Sequence, residues 1–142
     1  MPYVIRPFEP TDYPAAMALW NRTAGVGLSE ADERAPVERF LVRNQGLSFV
    51  ALEAQVIVGT ILCGHDGRRG LIHHLVSAEG HRRRGIARAL LLRGLAALRT
   101  QGIDKTHLLV FRVNEEGLAF WRSVSAVERT ELALFSLSTG DA

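Results

Sequence analysis

The fold of this chain is decided by residues 75–87, which read LVSAEGHRRRGIA. The apolar and β-branched residues at the start of this stretch favour a strand, and from Ala87 onward the apolar residues repeat with the 3.6-residue period of a helix. A short basic loop joins the two. Unpaired N–H groups and the dipole at a helix start attract anions, and Gly85 lets the backbone approach them closely. The stretch therefore predicts a strand–loop–helix unit that binds a diphosphate.

The predicted helix carries one apolar stripe. The members of the stripe recur at helical spacing and are Ala87, Leu90, Leu91, Gly94, Leu95 and Leu98. Gly102 ends the predicted helix. Because Gly94 has no side chain and lies on the stripe, we expect this helix to pack closely against a sheet.

The rest of the chain predicts a mixed sheet. Strands are predicted at 3–8, 47–53, 56–64, 71–77, 106–113 and 131–137, and helices at 11–20, 36–44, 87–102 and 115–124. A helix connects the strands at 71–77 and 106–113, so these two run parallel inside an otherwise antiparallel sheet. The predicted fold class is α+β, with a mixed, mostly antiparallel sheet and one central parallel pair.

The composition is that of an ordinary globular domain. The 142 residues are 47% hydrophobic and 23% charged, and no linker or repeat interrupts them, so residues 1–142 are predicted to form one domain. The longest apolar runs, such as 56–58 and 89–92, are far shorter than the ~18 residues that span a bilayer. The N-terminus has no feature of an export signal, which favours the cytoplasm. The single cysteine, Cys63, is interpreted as a small buried hydrophobe.

Basic charge is concentrated in one segment. Residues 68–99 contain eight arginines and a single acid, Glu79, although the net charge of the whole chain is only +2. Such a segment attracts an anionic ligand, either a nucleic acid or a small phosphate compound. Nucleic acid is disfavoured because the chain has no helix-turn-helix, zinc or RNA-binding signature and no aromatic residues interleave with the arginines. Lys105 is the only lysine and lies outside the loop, so the loop is not a P-loop.

Two motifs at a characteristic distance from one another carry a resemblance to a known family. Residues 82–87 (RRRGIA) match a loop pattern of Arg or Gln, two residues, Gly, one residue, then Gly or Ala. Residues 114–121 (NEEGLAFW) are similar to a later pattern, Asn-x-x-Ala-x-x-Phe-Tyr. Both patterns belong to the GCN5-related N-acetyltransferase (GNAT) family. The resemblance covers nearly the whole chain and implies the family's three-layer α/β/α fold, in which the central parallel strand pair splays apart.

The resemblance implies an acetyl-CoA site. In GNAT proteins the pantetheine arm of this cosubstrate adds to the splayed strand through backbone groups, which here belong to Leu75, Val76 and Ser77. Asn114 would approach the arm near the thiol. No metal is implied, and the chain has no set of ligands at ordered spacing for one. The diphosphate site would comprise Arg82, Arg83, Arg84, Gly85, Ile86, Ala87 and Arg88.

The chain departs from the family at the residue that protonates the departing CoA thiolate. The family's tyrosine is replaced by Trp121, which has no proton to lose at useful pH. A base must also accept a proton from the amine. In the family a carboxylate or histidine near the start of the strand often does so, and His73 is the nearest titratable group on that face, whereas His74 is predicted to point to the opposite face. The alternative is that His73 is a core histidine bonded to a backbone carbonyl.

The predicted function is direct transfer of an acetyl group from acetyl-CoA to a primary amine of a small molecule or peptide. The alternative is a catalytically weak CoA-binding module of the same fold that regulates or senses. This alternative is favoured by Trp121 at the acid position and by Leu71 at a position where the family commonly has Glu. Turnover of acetyl-CoA separates the two. No nucleic-acid or membrane partner is expected, and assembly as a homodimer is left open.

Overall fold

The structure is a computed structural model that describes residues 2–81 and 85–140. The predicted diphosphate contacts of Arg82, Arg83 and Arg84 therefore lie outside the described residues. The chain divides into two units, Met1–Phe111 and Arg112–Ala142, and each is considered by itself. A single domain over residues 1–142 stays a prediction.

The first unit is built on one five-stranded sheet with the order β1-β2-β3-β4-β5. The described neighbours are antiparallel except β4 and β5, which run parallel as predicted. The mixed, mostly antiparallel α+β arrangement is thus confirmed. The strands are β1 (Val4–Pro7), β2 (Phe49–Glu53), β3 (Val56–His65), β4 (Gly70–Ser77) and β5 (Thr106–Leu108). The helices are α1 (Tyr13–Asn21), α2 (Arg34–Arg43) and α3 (Ile86–Thr100), with 3₁₀ turns at Pro10–Asp12, Glu30–Asp32 and Glu79–His81.

Local chemistry explains where several elements begin and end. Pro14 stands in the first turn of α1, where its missing N–H sacrifices no hydrogen bond. The two residues between β2 and β3, Ala54 and Gln55, have φ angles of 51° and 68°, the left-handed conformation that matches the twist of a tight hairpin. Gly102, with a φ of 85°, follows the end of α3.

No described helix is both long and apolar enough to cross a bilayer.

Helices cover both faces of the sheet, as the side chains of β3 show. A Cβ atom built on Gly59 would meet Ile86 and Leu90 of α3 at 2.9 Å. The next residue, Thr60, accepts a hydrogen bond from Trp20 of α1. Because successive strand residues point to opposite faces, α3 lies on one face of the sheet and α1 on the other. The first unit therefore has three layers, in the order helix, sheet, helix.

Helix α3 approaches the sheet closely at Gly94. A Cβ atom there would lie 2.7 Å from Cys63 Sγ and 3.2 Å from Ile61 Cδ1. Both side chains are fully buried. Burial raises the pKa of the Cys63 thiol to about 12, so the thiol stays protonated and acts as the buried hydrophobe that the sequence predicts.

Two of the predicted strands differ from the structure. Strand β5 ends at Leu108 instead of residue 113, and residues 131–137 form no strand. Alternating apolar residues indicate a strand only where a neighbouring segment supplies backbone hydrogen-bond partners, and no described segment pairs with 131–137. Five strands are therefore found in the described parts of the chain, where the sequence predicts six. The apolar side chains left exposed in this segment are Leu132, Leu134, Phe135 and Leu137.

The second unit contains helix α4 (Glu115–Ser123), close to the predicted 115–124. The side-chain oxygen of Asn114 caps this helix by accepting a hydrogen bond from the N–H of Gly117 at 3.0 Å. After the helix, Glu128 forms ion pairs with Arg112 at 3.3 Å and Arg122 at 3.6 Å. Asn114 therefore has a structural role that the sequence analysis did not assign to it.

The close approach of α3 gives a stability prediction for Gly94→Ala. Alanine is the better helix former by about 1 kcal/mol. The added methyl group nevertheless has to displace Cys63, so we expect the free energy of unfolding to fall by roughly 1–3 kcal/mol, as for other overpacked cores. Urea denaturation of the variant and the parent measures the difference.

The matched control introduces Gly94→Ala into a Cys63→Ala background. Removing Sγ removes the nearest clash, so the same substitution should cost less there. An equal cost in both backgrounds, or a gain of stability in the parent, would contradict a rigid contact between α3 and β3.

Candidate active site

Strand β4 loses its parallel neighbour halfway along its length. The β4–β5 ladder pairs Gly70 with Thr106, Leu71 with His107 and Ile72 with Leu108. From His73 to Ser77, β4 continues beside β3 alone in the part of the chain that the structure describes. The splayed parallel pair that the sequence predicts is thus present, and it leaves an open edge along residues 73–77.

Backbone groups of β4 point into this open edge. The N–H of Ala78 donates to the C=O of Val58 at 2.8 Å, which directs it toward the β3 side. Because backbone groups alternate along a strand, Val76 also faces β3, whereas the C=O of Leu75 and both backbone groups of Ser77 face the open edge. Of the three predicted backbone contacts, Leu75 and Ser77 therefore have groups that an added strand could reach.

The side chain of Ser77 is an unexpected feature of the same edge. Its Oγ is buried and has no hydrogen-bond partner among the described residues. A buried hydroxyl left in this state costs free energy, so such atoms are rare in folded proteins. This orphaned donor and acceptor at the end of β4 fits a site that is completed by a polar ligand.

The open edge leads to the start of α3. Gly85 adopts a φ of 77°, and a Cβ atom built on it would meet nothing within 4 Å. The N–H of Ala89 donates to the C=O of Gly85 at 2.9 Å and closes the first turn. The three preceding N–H groups, those of Ile86, Ala87 and Arg88, have no partner within the helix. These three are among the amides, those of residues 83–88, that the family resemblance implies for the diphosphate, and residues 83 and 84 lie outside the described residues.

A β-bulge lies at the beginning of the open edge. On β3, Leu62 pairs with His73 and Thr60 pairs with Val76, so one residue of β3 faces two residues of β4, His74 and Leu75. His74 has a φ of 47°, a left-handed conformation that costs a non-glycine residue about 1–3 kcal/mol. The surrounding structure must hold His74 in place.

A buried hydrogen-bond chain provides part of that support. The indole Nε1–H of Trp20 donates to Thr60 Oγ1 at 2.9 Å, and the Thr60 hydroxyl donates to the C=O of His74 at 2.8 Å. Trp20 and Thr60 are almost fully buried. The indole ring also lies against the imidazole of His74, with the ring centroids 4.6 Å apart. The backbone and ring of His74 are thus held from the α1 side of the sheet.

Asp32 holds the other end of the His74 side chain. Oδ1 of Asp32 lies 2.6 Å from Nε2 of His74, and both side chains are largely buried, with 14% and 12% exposure. The carboxylate is itself oriented, because its Oδ2 accepts the N–H of Ser29 at 2.9 Å. The C=O of Asp32 accepts the hydroxyl of Tyr13 at 2.7 Å. An aspartate–histidine pair therefore stands beside the bulge.

His73, the predicted base, is not held in this way. Its imidazole meets Phe40 edge-on at 5.8 Å and has no hydrogen-bond partner among the described residues, so the bond to a backbone carbonyl is not found. His73 is exposed as a whole residue, but nearby protein atoms remove part of the water around its imidazolium, and this is the first cause that lowers its pKa; the closeness of His74 is the second. The two imidazole rings lie only 6.4 Å apart. The prediction that His74 points to the opposite face is therefore wrong, since the bulge interrupts the alternation of side chains.

The remaining predicted site residues lie in the second unit. Asn114 is the N-cap of α4, as described above. Trp121 is a half-buried residue of α4 whose ring meets that of Phe120 at a centroid distance of 5.1 Å. Their predicted contacts with the arm and the thiol stay predictions.

The sequence does not indicate Asp32, Thr60 and Trp20 as partners of His74. Each is separated from it by a long stretch of chain, and no spacing rule connects a 3₁₀ turn to a bulge in a distant strand. The local signals in the sequence are the histidine pair at 73–74 and the acids at 30–33, which could attract a cationic amine or belong to a solvated loop.

Comparison with known proteins identifies the family. A family model described as "Acetyltransferase (GNAT) family" matches residues 13–124. The chain belongs to the GNAT acetyltransferases. The acetyltransferase ECA0875 of Pectobacterium atrosepticum is 32% identical over 120 residues, which cover 84% of this chain and 84% of that protein. The membership in the GNAT family that the two sequence motifs indicate is thus confirmed.

Solved structures share the GNAT fold. Ard1 from Thermoplasma volcanium superposes with a TM-score of 0.77 at 21% identity, over 87% of this chain and 82% of that one. The PaiA N-acetyltransferase from Thermoplasma acidophilum, determined in complex with coenzyme A, gives a TM-score of 0.76 at 19% identity, over 87% and 89% of the two chains. At these identities the likeness establishes the fold.

The lowered pKa of His73 predicts a pH dependence of stability. Below the ordinary histidine pKa of 6.5 the unfolded chain binds a proton more readily than the folded chain, so stability rises with pH there. The contribution of His73 to the free energy of unfolding is complete above pH 6.5, and it is lost as the pH falls through the lowered pKa of the folded state. The free energy of unfolding should therefore drop more between about pH 7.5 and about pH 5.5 in the parent than in His73→Gln. An equal drop in both proteins would contradict the lowered pKa.

Proposed function

We propose that this GNAT protein transfers an acetyl group from acetyl-CoA directly to the nitrogen of a primary amine. The observation that carries the proposal is the open edge of β4, which ends at an orphaned Ser77 hydroxyl and leads onto the start of α3. A ligand with an extended arm that ends in a diphosphate matches this arrangement. Its arm needs backbone partners along an open strand edge, and its diphosphate needs unpaired N–H groups at a helix start.

The arm of acetyl-CoA would add to β4 as a short strand. The backbone groups of Leu75 and Ser77 that face the open edge are available to its amides, and Ser77 Oγ supplies a further hydrogen bond. The diphosphate would lie at Gly85 and the N–H groups of residues 86–88, with the side chains of residues 82–84 adding positive charge. The coenzyme A bound to the PaiA neighbour supports this use of the fold.

The reaction needs a neutral amine, because an ammonium group has no lone pair to attack the thioester carbonyl. The chain must therefore offer a proton acceptor close to the end of the arm. His73 was assigned this role from the sequence, and the structure adds His74 on the same side of the sheet. Both histidines lie where the open edge begins.

The acceptor is proposed to be a small-molecule amine, with a peptide amine as the second candidate. Incubation with acetyl-CoA and a panel of polyamines, amino acids, aminoglycosides and peptides, with release of free thiol as the readout, tests the proposal. Amine-dependent release of CoA supports it. Binding of CoA without turnover of any amine favours the regulatory module, and absence of both overturns the assignment of the site. A cytoplasmic location stays a prediction, and assembly as a homodimer stays open.

A charge placed at the helix start should abolish CoA binding. In Gly85→Glu a carboxylate stands against the diphosphate, so saturating CoA should no longer raise the melting temperature, whereas it should do so in the parent. Gly102→Glu is the matched control, because Gly102 has a similar φ of 85° and equally open surroundings at the far end of the same helix. A thermal shift that survives in Gly85→Glu would exclude a cofactor site on this helix start.

Ser77→Ala should change stability and affinity in opposite directions. Removing a buried hydroxyl that has no hydrogen-bond partner among the described residues should raise the free energy of unfolding of the free protein by about 1 kcal/mol. The same change should weaken CoA binding several-fold, because one hydrogen bond to the arm is lost. Urea denaturation and calorimetric titration measure the two effects. A variant that binds CoA as tightly as the parent would remove Ser77 Oγ from the site.

A further inference from the structure

We propose that His74 is the general base of the transfer and that Asp32 is the residue that positions it. The inference rests on the proposed function and deepens it. Its basis is the contrast between two adjacent histidines, of which one is held by a buried carboxylate and the other has no hydrogen-bond partner among the described residues.

The position of His74 suits this role. An arm that leaves the start of α3 and pairs first with Ser77 and then with Leu75 reaches the level of His74 next. The arm cannot extend much further along β4, because β5 occupies this edge of β4 from the pair Ile72 and Leu108 onward. The reacting end of the arm is therefore stopped beside the bulge.

The bond to Asp32 defines the tautomer of His74. An ionised carboxylate only accepts hydrogen bonds, so Nε2 of the neutral imidazole carries the proton and Nδ1 carries the free lone pair. Nδ1 has no hydrogen-bond partner among the described residues. Among these residues, Ser77 Oγ is the only side-chain polar atom that is both fully buried and without a hydrogen-bond partner. Because Nδ1 also has no partner there, it is not fully buried and retains contact with solvent. This nitrogen is available to a substrate or to a relay water.

The proton and electron balance of the step is simple. The amine nitrogen forms a bond to the thioester carbonyl carbon, the C=O π pair moves to the oxygen, and the nitrogen gives one proton to Nδ1 of His74. The C=O bond then re-forms as the C–S bond breaks, and the sulfur leaves with the electron pair and takes the proton from the imidazolium, directly or through a water, which returns His74 to its neutral form. The products are an amide and CoA with a free thiol. The carboxylate of Asp32 holds the ring at Nε2 and stabilises the imidazolium while it exists.

His74 is rigidly held in comparison with His73. Trp20 packs on its ring and Thr60 binds its carbonyl, so the ring cannot swing away without breaking buried contacts. The charged and titratable groups around the pair are few. His73 faces it from β4 and Asp32 from the 3₁₀ turn, while Tyr13 binds the backbone of Asp32 from α1. Glu33 and Arg34 follow Asp32 in the chain, and their charges lie close enough to affect the pKa of the Tyr13 hydroxyl.

The test is Asp32→Asn, compared with Asp104→Asn as a matched control on an exposed surface pair. The amide has a single oxygen and two N–H groups. If its oxygen keeps the N–H of Ser29, its NH₂ donates to Nε2 of His74 and forces the proton onto Nδ1. We expect kcat to fall by ~10²-fold or more in Asp32→Asn and to change less than about two-fold in Asp104→Asn. Nitrogen NMR of labelled histidines should show His74 as the Nε2–H tautomer in the parent and as Nδ1–H in the variant.

The pH profile gives a second readout. The pH profile of kcat/KM should change in Asp32→Asn, because the carboxylate that orients His74 through Nε2 is gone. Ionisation of the acceptor amine is the same in both proteins and cancels in the comparison. An unchanged profile with an unchanged kcat would overturn the proposal.

His74→Gln and His73→Gln distinguish the two histidines. His74→Gln should lose kcat by ~10²-fold or more and lose the ascending limb, and His73→Gln should lose less. The reverse order would return the role of base to His73. A CoA-induced thermal shift in every variant verifies that the fold and the cofactor site are intact. Absence of that shift in the parent would instead refute the proposed function itself.

Discussion

The separation of β5 from β4 beyond the pair Ile72 and Leu108 is the constraint on which the rest of this structure depends. Backbone N–H and C=O groups inside a protein need partners, and a strand in the middle of a sheet usually finds them on both sides. Among the described strands, β4 keeps only β3 as a neighbour along residues 73–77. The consequence is an edge of main-chain groups of the kind to which an extended ligand can add without requiring particular side chains.

The packing of α3 determines where this surface leads. Gly94 and Gly59 leave room for the helix to lie almost directly on β3, and the first helical residue, Ile86, is buried against the sheet. The start of the helix is therefore held at the end of β4 by the hydrophobic core. Gly85, which turns the chain in the left-handed conformation, completes the connection.

The bulge at His74 lies where this open edge begins, and the side chain of His74 is held on the face of the sheet that α1 covers. Its left-handed backbone is supported by Thr60, and its ring is clamped between Trp20 and Asp32. Strained residues of this kind persist when several independent contacts hold them. The contacts come from three separate elements, so the orientation of His74 depends on the whole first unit and not on the local chain.

Sequence alone determined the strand–loop–helix unit at 75–87, the parallel crossover and the close-packed position of Gly94, because each depends on periodicity and turn chemistry within a few neighbouring residues. The predicted strand at 131–137 was wrong because a strand also needs a partner, which a periodic pattern cannot supply. The predicted direction of His74 was wrong because the register between β3 and β4 creates the bulge. Asp32 lies 42 residues from His74 along the chain, and only tertiary packing brings its carboxylate to the imidazole.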